Sequence, residues 1–272
     1  MMEFQFKDKY SISDLLEIMR ILRGENGCPW DREQTHQSIR RDFIEETYEV
    51  LEAIDNDDKE NLCEELGDVL LQVVFHSQIE KEAGCFDFDD VTDGVCKKLI
   101  VRHPHVFGDV VVNGTGDVLT NWDKIKQETK GQDSVSQVLE SIPKGFPALI
   151  RSQKVQKKAS KAGFDWDNVD GAIEKVREET DEVCSAIEKN DADNIMEEIG
   201  DLLFAVVNVS RFAHVDSELA LTRATDKFIS RFTKCEKLAK ERGIDMASSS
   251  IEELDVLWNE VKEKDSSGYM PE

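Results

Sequence analysis

Two stretches of this chain, "FIEETYEVLEAI" at residues 43–54 and "VREETDEVCSAI" at residues 176–187, carry the same EExxE pattern beside an apolar helical stripe. The match runs further. Glu45-Glu46-x-x-Glu49 answers Glu178-Glu179-x-x-Glu182, and Glu65-x-x-Asp68 answers Glu198-x-x-Asp201, all at one shift of 133 residues. Looser echoes accompany the acids. "CPWDRE" is matched by "GFDWDN", Lys98 and Arg102 by Lys227 and Arg231, and Trp122 by Trp258. Acids at a single offset, with basic and tryptophan echoes, require a duplicated module. We expect residues 1–140 to form the first module and 141–150, around Pro143 and Pro147, to be the linker. Residues 151–272 then form the second module, with a frayed tail at "KDSSGYMPE".

Helical signals dominate, which predicts an all-α fold. Helices are expected over about 12–22, 37–55 and 58–83, with Asp57 or Asp58 as the cap between the last two. "FDFDDVTDGVCKKLIVR" reads as another helix stopped by Pro104, "VFGDVVVNGTGDVLT" as the least helical part, and residues 121–129 as a helix.

A formal net charge of −24 repels polyanions, so neither a nucleic-acid polymer nor an anionic membrane is an expected partner. A small phosphorylated substrate stays compatible if metal ions and a few cations reverse the field locally. The six cysteines form no CxxC pair and read as reduced thiols of a cytoplasmic protein. The first ten residues show no apolar leader core, and runs such as "VLLQVVF" are too short to span a bilayer.

On a helical wheel Phe43, Thr47, Val50, Leu51 and Ile54 share a face expected to be core, with Glu46 and Glu49 about 60° apart at its border. Leu66, Val69, Leu70, Leu71, Val73, Val74 and Phe75 cover most of the next helix, which predicts burial nearly all round, yet Glu65, Asp68 and Gln72 form one polar stripe along it. Glu198 and Asp201 keep that stripe in the second copy. Gathered like charges cost several kcal/mol each on burial. Protonation can offset this, and so can a divalent cation. The candidate ligands are all carboxylates, with no ExxH motif, which favours Mg²⁺ or Mn²⁺ over zinc or a di-iron centre. Lys98/Arg102 and Lys227/Arg231 each share a helix face and suit terminal phosphates; Trp122 and Trp258 suit stacking on a base. His103 and His105, split by a proline, read as a helix stop.

These residues together resemble the MazG family of nucleoside triphosphate pyrophosphohydrolases. "GCPWDREQTH", "FIEETYEV", "ELGDVLLQVVFHSQ" and "RHPHVFGD" are similar to its first-repeat signatures, and the resemblance covers about residues 12–264. It implies two tandem four-helix modules, a homodimer, and Mg²⁺-dependent hydrolysis of nucleoside triphosphates to monophosphate and diphosphate. It also implies that Glu179, Glu182, Glu198 and Asp201 are metal ligands and that Lys227, Arg231 and Trp258 contact nucleotide, with Lys175–Glu179 lying along it. The first copy keeps Glu46, Glu49, Glu65 and Asp68, with Lys98 and Arg102. Water attack at the α-phosphorus is the expected chemistry, with Glu178 or Glu179 as base. The rival readings are a Mg²⁺-binding regulatory protein without turnover and a di-metal redox bundle.

Overall fold

The computed structural model describes residues 4–267, which hold thirteen helices and no strand. The first seven are α1 (Ile12–Arg23), α2 (Pro29–Glu33), α3 (Arg40–Asp55), α4 (Lys59–Ala83), α5 (Phe88–Arg102), α6 (Pro104–Phe107) and α7 (Thr115–Thr129). The rest are α8 (Val135–Glu140), α9 (Ala148–Lys161), α10 (Val169–Lys189), α11 (Ala192–Phe212), α12 (Ser217–Glu241) and α13 (Ile251–Ser267). The chain divides into two compact units, Met1–Lys126 and Gln127–Glu272, so the boundary falls within α7. Residues 141–150, expected as a linker, lie inside the second unit. There α8 packs on α9, and Val138 and Ile142 are buried. Of the tail expected to fray, 264–267 belong to α13 and 268–272 lie outside the described residues.

An antiparallel helix hairpin forms the spine of each unit, α3–α4 in the first and α10–α11 in the second. The duplication shows in the backbone of the turns. Asp57 and Asn190, related by the 133-residue shift, both adopt positive φ, 50° and 51°. Asp and Asn tolerate that region better than most side chains. The next residue caps the second helix each time: Asp58 accepts from the Glu60 and Asn61 amides, Asp191 from the Asn194 amide. Such a cap contributes about 1 kcal/mol.

Two burial expectations are corrected. On α3 only Ala53 is fully buried, while Leu51 and Ile54 are 49% and 53% exposed. On α4 burial is confined to the C-terminal half, at Gln72, Val74, Phe75 and Ser77, and Leu66 is 52% exposed. Coverage explains both. α1 brings Leu15, Leu16 and Met19 against Ile39, Val74 and Phe75, and this one core seals the far end of the hairpin. The end near the turn, which carries the acids, is left open. α7 also begins at Thr115 rather than Asn121, and the short α8 was not expected from the sequence.

A histidine relay braces the sealed end. His76 Nδ1 lies 2.6 Å from His36 Nδ1, and His36 Nε2 lies 2.6 Å from Glu80 Oε1. Burial, with His36 adding to it, pushes the His76 imidazole down, and the bond from His36 holds Glu80 below the usual carboxylate range. Below pH 6.5 the unfolded His76 takes up a proton that the folded one resists, and Glu80 loses its advantage as pH falls further. Stability of the first unit therefore falls on acidification from pH 7.5 to 5.5. Urea midpoints at the two pH values measure this, and His76→Phe should flatten the dependence.

Candidate active site

The tight turns fix which side chains meet. Glu182 and Glu198 stand eight residues either side of Asn190, and Glu179 and Asp201 stand eleven. Antiparallel helices of equal rise bring such pairs level. In the first unit Glu49 is level with Glu65, and Glu46 with Asp68, about Asp57.

The result is a carboxylate trio in each unit. One oxygen each of Glu179, Glu182 and Glu198 lies within 4.8 Å of the others, and Glu46, Glu49 and Glu65 do the same. Glu179 is buried, 3% exposed, and its Oε2 has no hydrogen-bond partner. A hydrogen bond shared with Glu179 raises the Glu182 pKa, with partial desolvation and the Glu179 and Glu198 charges adding to it. In the first unit desolvation leads for both Glu46 and Glu65; Asp68 and Glu49 add to Glu46, and Glu49 to Glu65. Asp68 thus belongs to the first cluster electrostatically. Asp201 is exposed and outside the second trio.

Lys175 separates the two units chemically. Its Nζ lies 2.5 Å from Glu179 Oε1 and 3.0 Å from Glu178 Oε1, and these bonds, Glu179 first, raise the ammonium above the usual lysine range. Glu178, mostly exposed, stands outside the trio but within reach of its lysine. The residue equivalent to Lys175 in the first copy is Asp42. Across the hairpin, the residue level with Lys175 is Ala205, whereas Asp42 is level with Gln72. A small alanine leaves room beside a long cation. Gln72 instead is buried with an unpartnered Oε1. Comparing the copies three residues upstream of EExxE would have revealed this difference.

The other residues expected at the site make contacts of their own. Lys227 is exposed on α12, Arg231 lies 3.5 Å from Asp265, and Trp258 packs on Phe228 with ring centroids 5.2 Å apart. In the first unit Arg102 lies over the Trp122 ring, 5.3 Å from its centroid, and His103 meets the same ring edge-on. His103 also ends α5, its Nδ1 2.6 Å from the Leu99 carbonyl, as a helix stop requires. Lys98 is exposed on α5.

The donors fit a hard divalent cation. Three converging carboxylates, one with a buried orphan oxygen, carry charge that only protons or a cation can offset, and oxygen-only donors suit Mg²⁺ or Mn²⁺. Fold and site together define an all-α tandem protein with one carboxylate cluster per helical hairpin. The comparisons specify it further. The MazG nucleotide pyrophosphohydrolase domain matches residues 34–107 and 168–236, and the chain belongs to that family. It is 43% identical over 257 residues to a nucleoside triphosphate pyrophosphohydrolase of Escherichia coli K12, covering 93% of this chain and 98% of that protein. It is 45% identical over 254 residues to the nucleoside triphosphate pyrophosphohydrolase/pyrophosphatase MazG of Thermotoga maritima, covering 93% and 96%. An uncharacterised Bacillus subtilis protein, YabN, is 50% identical over 255 residues, which span 52% of its length.

Mg²⁺ at a hundredfold excess over its Kd should stabilise each unit of the metal-free protein by about 2.7 kcal/mol, roughly 5–10 °C in Tm at this size. Thermal melts in EDTA, Mg²⁺ and charge-matched KCl check this. Glu182→Gln should lose the second unit's share of the gain, and an equal gain in KCl would exclude specific binding.

Proposed function

We propose that the protein is a nucleoside triphosphate pyrophosphohydrolase, with its working site on the α10–α11 hairpin. The observation that carries this reading is the trio of Glu179, Glu182 and Glu198 with Lys175 beside it, in a chain of this family. The E. coli and T. maritima relatives bear that activity in their names.

Glu179, Glu182 and Glu198 would hold Mg²⁺, with Asp201 completing the set from the same helix face. When bound, the ion polarises phosphate oxygens and offsets charge on the departing diphosphate. The chain's own residues do the rest. Lys175 supplies a fixed ammonium for the phosphates, exchanging its carboxylate partners for phosphate oxygens. Glu178, outside the trio and partly solvated, takes the proton of the attacking water. The water oxygen bonds to the α-phosphorus, the bridging α–β P–O bond breaks, and diphosphate leaves with that electron pair.

The first unit's cluster has the acids but carries Asp42 where Lys175 stands, so an anionic triphosphate meets one more negative charge and one fewer positive. For that unit we favour metal binding without efficient turnover. Reduced cysteines and a cytoplasmic setting belong to the same reading; six cysteines are free thiols, and no helix of the described residues is long and apolar enough to cross a membrane.

We further propose a homodimer. On α11 alone Ile199, Leu203 and Val206 are 44–52% exposed, and on α12 Phe228, Ile229 and Phe232 are too apolar to stay in water. Pairing would cover these faces. It would also allow Lys227, Arg231 and Trp258 of one protomer to reach a site on its partner.

Glu182→Gln should lower kcat at least 100-fold, and Glu49→Gln by less than threefold, in a diphosphate-release assay across a nucleotide panel with Mg²⁺. In ¹⁸O water the label should enter the monophosphate. Label in diphosphate, or a near-normal rate for Glu182→Gln, would contradict the mechanism.

A further inference from the structure

Between Glu140 and Asp165 the chain carries no acid, although it holds 58 Asp and Glu residues in all. The same span holds Lys144, Arg151, Lys154, Lys157, Lys158 and Lys161, all but the first on α9. The fold does not require this. α1 packs on α4 as α9 packs on α11, and α1 is balanced, with Asp14 and Glu17 against Arg20 and Arg23. Cations in the last turn of a helix complement its dipole, which accounts for Lys158 and Lys161. Lys154 and Lys157 stand mid-helix, where the dipole gives them nothing, and α9 has no carboxylate to pair with them. Both are exposed.

Lys154, Lys157 and Lys161 line one side of an open groove of about 630 Å³, with Ile150 at its start. The turn between α11 and α12 forms the other side, through His214, Val215 and Asp216. The Gln153 side-chain amide donates to the Val215 carbonyl at 2.8 Å, and its Oε1 accepts from the Ser217 amide at 3.5 Å, so α9 is tied to that turn. Arg211, also in the wall, is held by Asp165 in a two-point pair. Asp216 is the one acid among the described lining residues, and its carboxylate is engaged in capping α12. The Lys154 ammonium lies 5.4 Å from the Phe146 ring centroid, a contact that leaves its charge uncancelled. Glu198 of the trio and Arg211 stand thirteen residues apart on α11, roughly 20 Å, so the groove and the carboxylates are separate sites.

We propose that this groove docks an acidic, extended polypeptide segment of a partner protein. Lys154 to Lys161 spans about 10 Å along the helix, the length of about three residues of extended chain. Acidic side chains on alternate residues therefore meet the lysine row while an apolar one rests on Ile150 or Val215. Lysines suit a flexible segment, because a point charge on a mobile stem follows its ligand where a planar fork demands fixed geometry. A nucleic acid fits less well. No aromatic ring lines the groove among the described residues to stack a base, and a longer polymer would run onto a chain of net charge −24. The same acidity gives the encounter its orientation: most of the surface repels an acid-rich partner, and this groove attracts it.

The test is equilibrium binding of a labelled peptide of Glu-Glu-Leu repeats to the full-length protein at low salt. EDTA is present, so that no divalent ion bridges the peptide to the carboxylate trios. A Gln-Gln-Leu peptide and a short oligothymidylate are measured beside it. The acidic peptide should bind, the neutral one should not, and the double variant Lys154→Glu/Lys157→Glu should weaken binding at least tenfold. Lys9→Glu/Lys59→Glu, two exposed lysines of the first unit, changes net charge equally and should stay within twofold. Diphosphate release by Lys154→Glu/Lys157→Glu should also stay within twofold of wild type. Lys154→Gln/Lys157→Gln removes the charges without adding acids and decides the matter if the reversed variant fails to fold. No binding by the wild type, or equal weakening by the control pair, would overturn the proposal. Tighter binding of oligothymidylate would replace the peptide with nucleic acid, and a lower sedimentation coefficient for Lys154→Glu/Lys157→Glu would replace it with a second copy of this chain. A collapse of diphosphate release in that variant would return the groove to the active site.

Discussion

Repulsion among Glu179, Glu182 and Glu198 is the constraint on which the rest of the site depends. The α10–α11 hairpin, pinned by a left-handed Asn190 and an Asp191 cap, holds these carboxylates together whether or not their charge is offset. Proximity of the three carboxylates and burial of Glu179 act in the same direction. A proton shared between Glu179 and Glu182 relieves part of the strain, and a divalent cation relieves it more completely. The hairpin is therefore a scaffold that gathers unfavourable charge, which a proton or an oxygen-seeking ion would offset.

Further features of the second unit line up with the same α10 face. Lys175 neutralises the end of the cluster facing away from the turn, Ala205 opposite gives it room, and Gly171 lets the Trp166 ring lie beyond it. Carboxylates, an ammonium and an aromatic ring thus follow one another along the helix. In the first unit the carboxylates survive, but Asp42 and Gln72 replace the cation and its small neighbour. Duplication thus kept the carboxylate trio in both copies and a lysine beside it in one.

The acids were legible because helical period and a fixed turn convert spacing into proximity. EExxE followed by ExxD, at one offset in both copies, was enough to expect two clusters, and Asp57 or Asp58 was expected as the cap between the first pair of helices, a role that Asp58 takes. What the pattern could not give was coverage. An apolar stripe says which face avoids water and not what lies on it. Leu51, Ile54 and Leu66 were expected in a core that the chain's own helices do not build around them, since α1 reaches only the far half of α4. The Trp166 contact was hidden for a related reason. Its partner is the bare backbone of Gly171, and a missing side chain leaves no mark in a wheel of apolar residues.

The most direct measurement is an anomalous difference map from crystals of the protein soaked in Mn²⁺. The account predicts a peak enclosed by Glu179, Glu182 and Glu198, with carboxylate oxygens about 2.1–2.2 Å away. A map with no density there, or with those side chains turned apart into solvent while manganese binds elsewhere, would contradict it.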